Sequence, residues 1–432
     1  MRLTAHATLS RTLVQISADF LDNLLAGYPQ RDFEVRFWDE SMWGSNQQPR
    51  FTLVLKHPGA LREMFIGASE LTLAEAYIFD DFDIEGDIEA AFPLADYLVE
   101  QGTRTLRQNL KLAGVLRRLP VKRPVQPDRQ PARLRGEVHS RDRDRLAISY
   151  HYDLPPEFFA LWLDQNMQYS SAYFTNGEAA DLDTAQRRKL DYICRKLRLR
   201  RDESLLDIGC GWGGLVIHAA AQYGAQVVGI TLSVPQAEWA RRRIRDLGLN
   251  DRCRVEVCDY RDLEVERPFD KIVSVGMFEH VGEAKLQEYF TRAWHLLRPG
   301  GAFLNSGIAA SSNQQRNEPS FIDRYVFPDG ELVPLHISLG AAEKSGFEVR
   351  DVESFREHYA LTLHHWVHRL EAHAEEARRI TGETTYRTWR LYMAASEHRF
   401  RSGQLNVYHM LLARPRQGNS GMPLSRADWY GM

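Results

Sequence analysis

The chain has 432 residues, 44% of them hydrophobic and 26% charged, an ordinary globular mixture that excludes a disordered or fibrous chain and is too long for a single growing core. Its 55 basic and 58 acidic residues give a formal net charge of −3, so the molecule as a whole is no polyanion binder and no nucleic-acid partner is expected. Cys194, Cys210, Cys253 and Cys258 form no CxxC pair and no disulfide framework, which points to a reducing cytoplasm. The opening MRLTAHATLSRTLVQ lacks the apolar core of a secretory signal. No stretch approaches the roughly 18 apolar residues of a membrane span, so any contact with a bilayer is expected to be peripheral.

In chain order, Phe33-Glu-Val-Arg-Phe-Trp and Phe51-Thr-Leu-Val-Leu-Lys read as strands, and Leu71 to Phe79 and Ala91 to Leu98 as helices. They suggest a small α+β accessory domain over 1–115 with no chemical constellation, open to packing, dimer formation or lipid docking. From Arg104 to Arg145 there are thirteen Lys/Arg and four Asp/Glu, with Pro120, Pro124, Pro127 and Pro131 interspersed. Prolines remove backbone donors and disfavour helix before them, so 116–145 reads as an exposed basic linker. It is either a solvated connector or a surface drawn to anionic lipid headgroups.

Strands and helices then alternate over 146–432. Ser204-Leu-Leu-Asp-Ile, Ala225-Gln-Val-Val-Gly-Ile, Arg254-Val-Glu-Val-Cys, Lys271-Ile-Val-Ser-Val and Ala302-Phe-Leu read as strands. Gly214 to Tyr223 is a helix that Gly224 ends, and Ser233-Val-Pro-Gln opens another as a capping box. The expected fold class is α/β, a doubly wound, Rossmann-like parallel sheet. The region from about 313 to 401, richer in aromatics and histidines, is expected to cap the carboxyl edge of the sheet. His364 and His368 lie one helical turn apart, but no HExxH occurs; a helix face is expected there and no metal site.

Asp207-Ile-Gly-Cys-Gly-Trp-Gly-Gly lies between a predicted strand and a predicted helix. Glycines there let the backbone turn tightly and approach a ligand. The spacing Gly209-x-Gly211-x-Gly213 departs from the G-x-G-x-x-G dinucleotide fingerprint, so an adenosine-plus-amino-acid ligand fits better than a pyrophosphate.

This loop, followed by Val228-Gly-Ile-Thr-Leu-Ser-Val-Pro-Gln, resembles the S-adenosylmethionine site of class I methyltransferases. More narrowly, the chain resembles the cyclopropane-fatty-acyl-phospholipid synthases and the related mycolic acid cyclopropane synthases. Tyr150-His-Tyr-Asp-Leu, Met167-Gln-Tyr-Ser-Ser-Ala-Tyr-Phe, Asp259-Tyr-Arg-Asp-Leu, Val273-Ser-Val-Gly-Met-Phe-Glu-His-Val-Gly and Tyr325-Val-Phe-Pro-Asp-Gly carry the rest of the likeness, over about 148–410. The resemblance implies that Tyr169 and Ser170 touch the methionine end of the cofactor. It implies that Asp207, Gly209, Cys210, Gly211 and Gly213 carry the backbone contacts. Thr231, Leu232 and Gln236 would lie by the ribose, and Tyr260 and Arg261 by the adenine. On the residues alone, Gln236 is equally the capping partner of Ser233, Tyr169 a core tyrosine and Asp207 an anchor of its own loop.

The implied reaction adds one carbon to the double bond of an unsaturated acyl chain of membrane phospholipid, at the inner face of the membrane, in a homodimer. An alkene attacking a sulfonium methyl leaves a carbocation, which aromatic faces and a carboxylate stabilise in a dry pocket. The resemblance places Glu279 and Tyr359 at a bicarbonate ion acting as base, with His280 beside them. Phe321, Tyr325, Phe327, Trp366 and Tyr392 are candidate walls for the acyl chain. Three positions depart from the family: Ser171 stands where a Cys is usual, Ser306 where a His is usual, and Ser396 where a further Cys is usual. A cyclopropane ring is the leading expectation. A methyl- or methylene-branched chain is the alternative that Ser171 and Ser306 raise. A small-molecule methyltransferase and a non-catalytic binding module are the lesser ones.

Overall fold

The computed structural model describes residues 2–44, 48–67, 69–100, 112–121, 129–175, 181–311 and 320–430. They form two compact units that do not follow chain order. The smaller is built on 1–131 with 318–325 and 382–398, the larger on 132–317, 326–381 and 399–432.

In the smaller unit four strands, β1 (Phe33–Arg36), β2 (Met42–Trp43), β3 (Phe51–Leu55) and β4 (Phe82–Gly86), make a sheet of order β2-β1-β3-β4. The helix Glu70–Ile78 starts in a capping box, in which Ser69 Oγ accepts from the Thr72 amide and the Thr72 hydroxyl accepts from the Ser69 amide. A distant segment is stitched in by one buried guanidinium. Arg387 donates to the carbonyls of Tyr77 and Phe82, both at 2.6 Å, and to Asp83 at 3.1 Å. The region expected to cap the larger sheet is therefore shared between the units. Phe321, Tyr325 and Tyr392 are buried in the smaller one, where the Tyr325 hydroxyl donates to Glu75 at 2.7 Å.

Part of the expected linker, 122–128, lies outside the described residues. The rest is not uniformly exposed. Leu116 and Leu119 are buried, and so is Arg129, whose Nε donates to the Tyr325 carbonyl at 3.0 Å while its guanidinium lies over the Trp389 ring. The basic residues from Arg141 belong to the helix Arg141–Tyr152 of the larger unit.

The larger unit holds a seven-stranded sheet. Its strands are β5 (Ser204–Ile208), β6 (Gln226–Thr231), β7 (Cys253–Val257), β8 (Phe269–Val275), β9 (Leu297–Ala310), β10 (Glu348–Ser354) and β11 (Leu405–Ala413), in the order β10-β11-β9-β8-β5-β6-β7. The pairs from β9 to β7 are parallel, as the alternation of strands and helices requires, and β11 runs antiparallel to both β9 and β10. Chain order reverses at β5, which has β6 on one side and β8 on the other. A crevice at the carboxyl ends of the strands opens at such a reversal. Leu206, Ile208, Ile230, Ile272 and Phe303 form the fully buried centre, with Tyr289 and Phe290 of the helix Leu286–Leu296 against them. Among the described residues no helix is long and apolar enough to cross a membrane.

Replacing Arg387 by Met leaves Asp83 and two carbonyls without their buried donor. Such a loss costs roughly 3–5 kcal/mol, so the urea midpoint of R387M should fall substantially; a midpoint within error of the wild type would remove Arg387 from the account of this unit.

Candidate functional site

A cavity opens in the larger unit where β5, β6 and β8 end. Its floor is the bend that follows β5. Gly209 (φ +81°) and Gly213 (φ +79°) both hold left-handed conformations, and a Cβ on Gly209 would come within 2.7 Å of Met277 Cβ and one on Gly213 within 2.8 Å of Ala240 Cβ. Only glycine combines that backbone with that approach. The amides of Gly209 and Cys210 both donate to the Ile230 carbonyl at 2.9 Å, which ties the bend to β6.

Tyr169, Ser170, Asp207, Gly209, Cys210, Gly211, Thr231, Leu232, Gln236, Tyr260, Arg261 and His280 all line this one cavity. Gly213 lies outside the lining; its close packing against the helix Val234–Asp246 explains its place in the motif. The expected capping box at Ser233 is only half made. The Gln236 amide reaches Ser233 Oγ at 3.4 Å, but the Gln236 carboxamide accepts from the Thr231 hydroxyl at 2.8 Å and faces the cavity. Arg261 is already engaged. It grips Asp259 at 2.6 and 2.9 Å and Asp144 at 2.9 Å, so it fastens the helix Arg141–Tyr152 as a wall of the cavity. Tyr169 sits in an aromatic cluster, 5.1 Å from Trp162, 5.2 Å from Trp366 and parallel to His151.

Glu279, Ser171 and Tyr359 do not line the cavity, although Met277, His280 and Val281 around Glu279 do. Glu279 Oε1 accepts from the Ile308 amide at 2.7 Å, and its buried Oε2 has no hydrogen-bond partner among the described residues. Gly307 makes room for the neighbouring Phe278 ring, which a Cβ there would meet at 2.0 Å, and such a Cβ would lie 3.4 Å from the Glu279 carboxyl carbon. Burial pushes the Glu279 carboxyl up to about 7 and the His280 imidazole down to about 4, so that imidazole is neutral at pH 7. The Ser171 hydroxyl is turned onto the Ala172 carbonyl at 3.1 Å. Tyr359, on the helix Arg356–Ala372, packs against Trp366 and Phe400, and Trp366 links it to the Tyr169 cluster. Of the proposed acyl-chain walls in this unit, Phe327 stacks on His151 at 3.9 Å and Trp366 is fully buried.

Several lining residues carry no strong signal of their own in the sequence. Tyr152, Gln168, Trp212 and Met277 sit inside motifs already singled out, but Asp144 does not stand out by type or spacing. The helix Leu182–Leu197 adds two buried polar side chains behind the wall. Gln186 holds the Ser170 carbonyl at 2.9 Å, and Lys189 donates to Ser170 Oγ and Gln168 Oε1, both at 2.8 Å. Burial raises the Asp207 carboxyl to about 7, against the opposing pull of Lys189.

The model of the mycolic acid cyclopropane synthetase family matches residues 139–410, more than half of the chain. The chain belongs to that family. A model described as a domain of unknown function matches 20–100. A probable fatty acid methyltransferase of Pseudomonas putida is 39% identical over 401 residues, 92% of this chain and 95% of its own. The cyclopropane-fatty-acyl-phospholipid synthase of Escherichia coli K12 is 35% identical over 277 residues, 64% of this chain and 70% of its own. Among solved structures, the mycolic acid cyclopropane synthase CmaA1 with SAH and CTAB superposes with a TM-score of 0.59 at 32% identity, over 62% of this chain and 97% of that one. This family member is an S-adenosylmethionine-dependent C-methyltransferase. Its cavity fits that cofactor: a bend with no Cβ at Gly209 and Gly211, a Thr231–Gln236 polar pair and the Tyr169 ring meet at one switch point.

The raised Glu279 carboxyl has a stability signature. As pH rises from 4.5 to about 7 the unfolded chain releases this proton first, so folded wild type loses stability across that window. Glu279→Gln removes the loss, on the order of 3 kcal/mol at most. The stability of E279Q relative to wild type, measured by urea unfolding at pH 5 and pH 8, should therefore increase with pH; a constant difference would contradict a buried, destabilised carboxylate.

Proposed function

We propose that the protein transfers the cofactor's methyl carbon to the double bond of an unsaturated fatty acyl chain, and that Glu279 itself takes up the proton released afterwards. Bound S-adenosylmethionine supplies an electrophilic methyl group in the cavity. Tyr169, Ser170, Thr231, Leu232, Gln236 and Tyr260 hold and orient it there, on the bend from Asp207. The Tyr169 ring in the cavity wall, backed by Trp162 and Trp366, excludes water and faces positive charge that develops on the acyl chain. The observation that carries the reading is the single free oxygen of Glu279, buried beside the cavity lining and more basic than an ordinary carboxylate.

The residues present do not fit a bicarbonate held in the family's manner. The Ile308 amide is bound to Glu279, the Ser171 hydroxyl is given to the Ala172 carbonyl, and Ser306 is too short to take the place of an imidazole. A base set back from the new methyl group leaves time for a 1,2-hydride shift from the methyl-bearing carbon to the neighbouring cationic carbon; loss of a methyl proton to Glu279 then forms the C=CH2 bond of a methylene-branched chain in place of the ring. The relative matched over nearly all of both chains is named a fatty acid methyltransferase, whereas the cyclopropane synthase matches 64% of this one, which supports the same choice. Ring closure is the second reading, favoured by the family's name. Either product is the acyl chain plus one CH2, with one proton released. A phospholipid in a membrane is the proposed acyl carrier, with peripheral docking and a homodimer as the accompanying proposals.

Purified protein incubated with methyl-labelled cofactor and unsaturated phospholipid vesicles should place label in the extracted fatty acids; unlabelled fatty acids would sink the reading. Mild hydrogenation before mass spectrometry separates the products, since a methylene branch takes up hydrogen and a cyclopropane ring does not. Glu279→Gln should lower turnover by about 10²- to 10⁴-fold, the usual range for a general base, with cofactor affinity nearly unchanged. Wild-type turnover in E279Q would exclude Glu279 as the base.

A further inference from the structure

Lys189 is completely buried behind the cavity, and the mechanism above makes no use of it. An unpaired ammonium is expensive to bury, so what it faces matters. Two of its protons are placed by distance: Nζ lies 2.8 Å from Ser170 Oγ and 2.8 Å from Gln168 Oε1. Both acceptors belong to cavity-lining residues. The segment that carries them is held rigidly. Asp164 accepts from the amides of Asn166 and Gln168 at 2.8 and 2.7 Å, and Gln186 fixes the Ser170 carbonyl. Gly214 lets the Gln168 carboxamide lie against the start of the next helix, for a Cβ there would meet Gln168 Nε2 at 2.1 Å.

This arrangement sets a polarity. A hydroxyl has one proton to give and lone pairs to accept. Lys189 can only donate, so it occupies a lone pair of Ser170 and leaves that hydroxyl's proton for the cavity. The Gln168 oxygen is likewise occupied. The Gln168 carboxamide nitrogen is given to the Asn166 carbonyl at 3.2 Å, so the wall at this end offers the Ser170 proton and, behind it, a positive charge. We propose that Lys189 is a positioning residue that makes this end of the cavity selective for the carboxylate of the cofactor's amino-acid moiety, acting through the Ser170 hydroxyl. The inference rests on the cavity being the S-adenosylmethionine site. Asp164 and Asp207 are the charges that face Lys189, and they offset its repulsion of a sulfonium without cancelling the local preference of Ser170.

The test is calorimetric binding of two thioethers to the full chain: S-adenosylhomocysteine, and its decarboxylated analogue S-(5′-adenosyl)-3-thiopropylamine. In Lys189→Met, affinity for the first should fall by about 10- to 100-fold, the scale of a hydrogen bond to a charged group. Affinity for the second should stay within about threefold, and Lys189→Arg should restore part of the difference. Equal losses for both ligands would make Lys189 merely structural, and unchanged affinity for both would make it irrelevant; either overturns the proposal. Ser170→Ala, which keeps the lysine, should show the same split, and it decides the question if K189M fails to fold. If wild type binds neither thioether, the cofactor reading falls instead.

Discussion

The close approach of a glycine-rich bend to three neighbouring elements is the constraint on which the site depends. Gly209 lies against Met277 after β8, and Gly213 lies against Ala240 in the helix that follows β6. The amides of Gly209 and Cys210 share the Ile230 carbonyl of β6. Each contact joins β5 to a different partner, and together they fix where the sheet's crevice opens. A side chain at either glycine would push one partner away, and the cavity would lose its floor before it lost any polar contact.

Around that floor the larger unit uses burial to set charge. Glu279 and Asp207 are each pushed up to about 7, and His280 is pushed down to about 4. The common cause is desolvation. A cavity that discourages fixed charge suits a reaction whose cationic character is transient, because water that would stabilise the carboxylates would also capture the cation. The groups that remain fully paired, Asp259 and Asp144 with Arg261, hold the wall. The carboxylates that burial leaves less acidic and those that an arginine holds in place are thus different residues.

Much of this was legible in the sequence, for identifiable reasons. The strand–bend–helix from Ser204 to Tyr223 announces itself through an apolar run, three glycines at alternating positions and a terminal Gly224 that is left-handed, with φ +66°. The Thr231–Gln236 pair was visible as residues but not as a bond, because a capping box and a cavity wall call for the same side chains. Lys189 and Gln186 were not legible. They sit three apart on an amphipathic helix where polar residues ordinarily face solvent, and only the packed structure turns them inward. The edge strand β10 was missed for the opposite reason, since Glu-Val-Arg-Asp-Val-Glu-Ser has too few apolar residues to stand out inside a helical region.

The redistribution of the C-terminal region has a physical logic of its own. Residues 318–325 and 382–398 leave the larger unit and complete the core of the smaller one, which must bury its sheet with few residues. Arg387 does this with hydrogen bonds to two carbonyls and to Asp83, at positions where a short helix and a strand end would otherwise leave acceptors bare. The guanidinium also lies 4.2 Å from the centre of the Tyr77 ring, so its planar face is covered as well as its edge. A lysine has no planar fork to repeat that geometry. The smaller unit therefore requires a particular residue more than three hundred positions further along the chain, and it cannot be complete as the 20–100 segment alone.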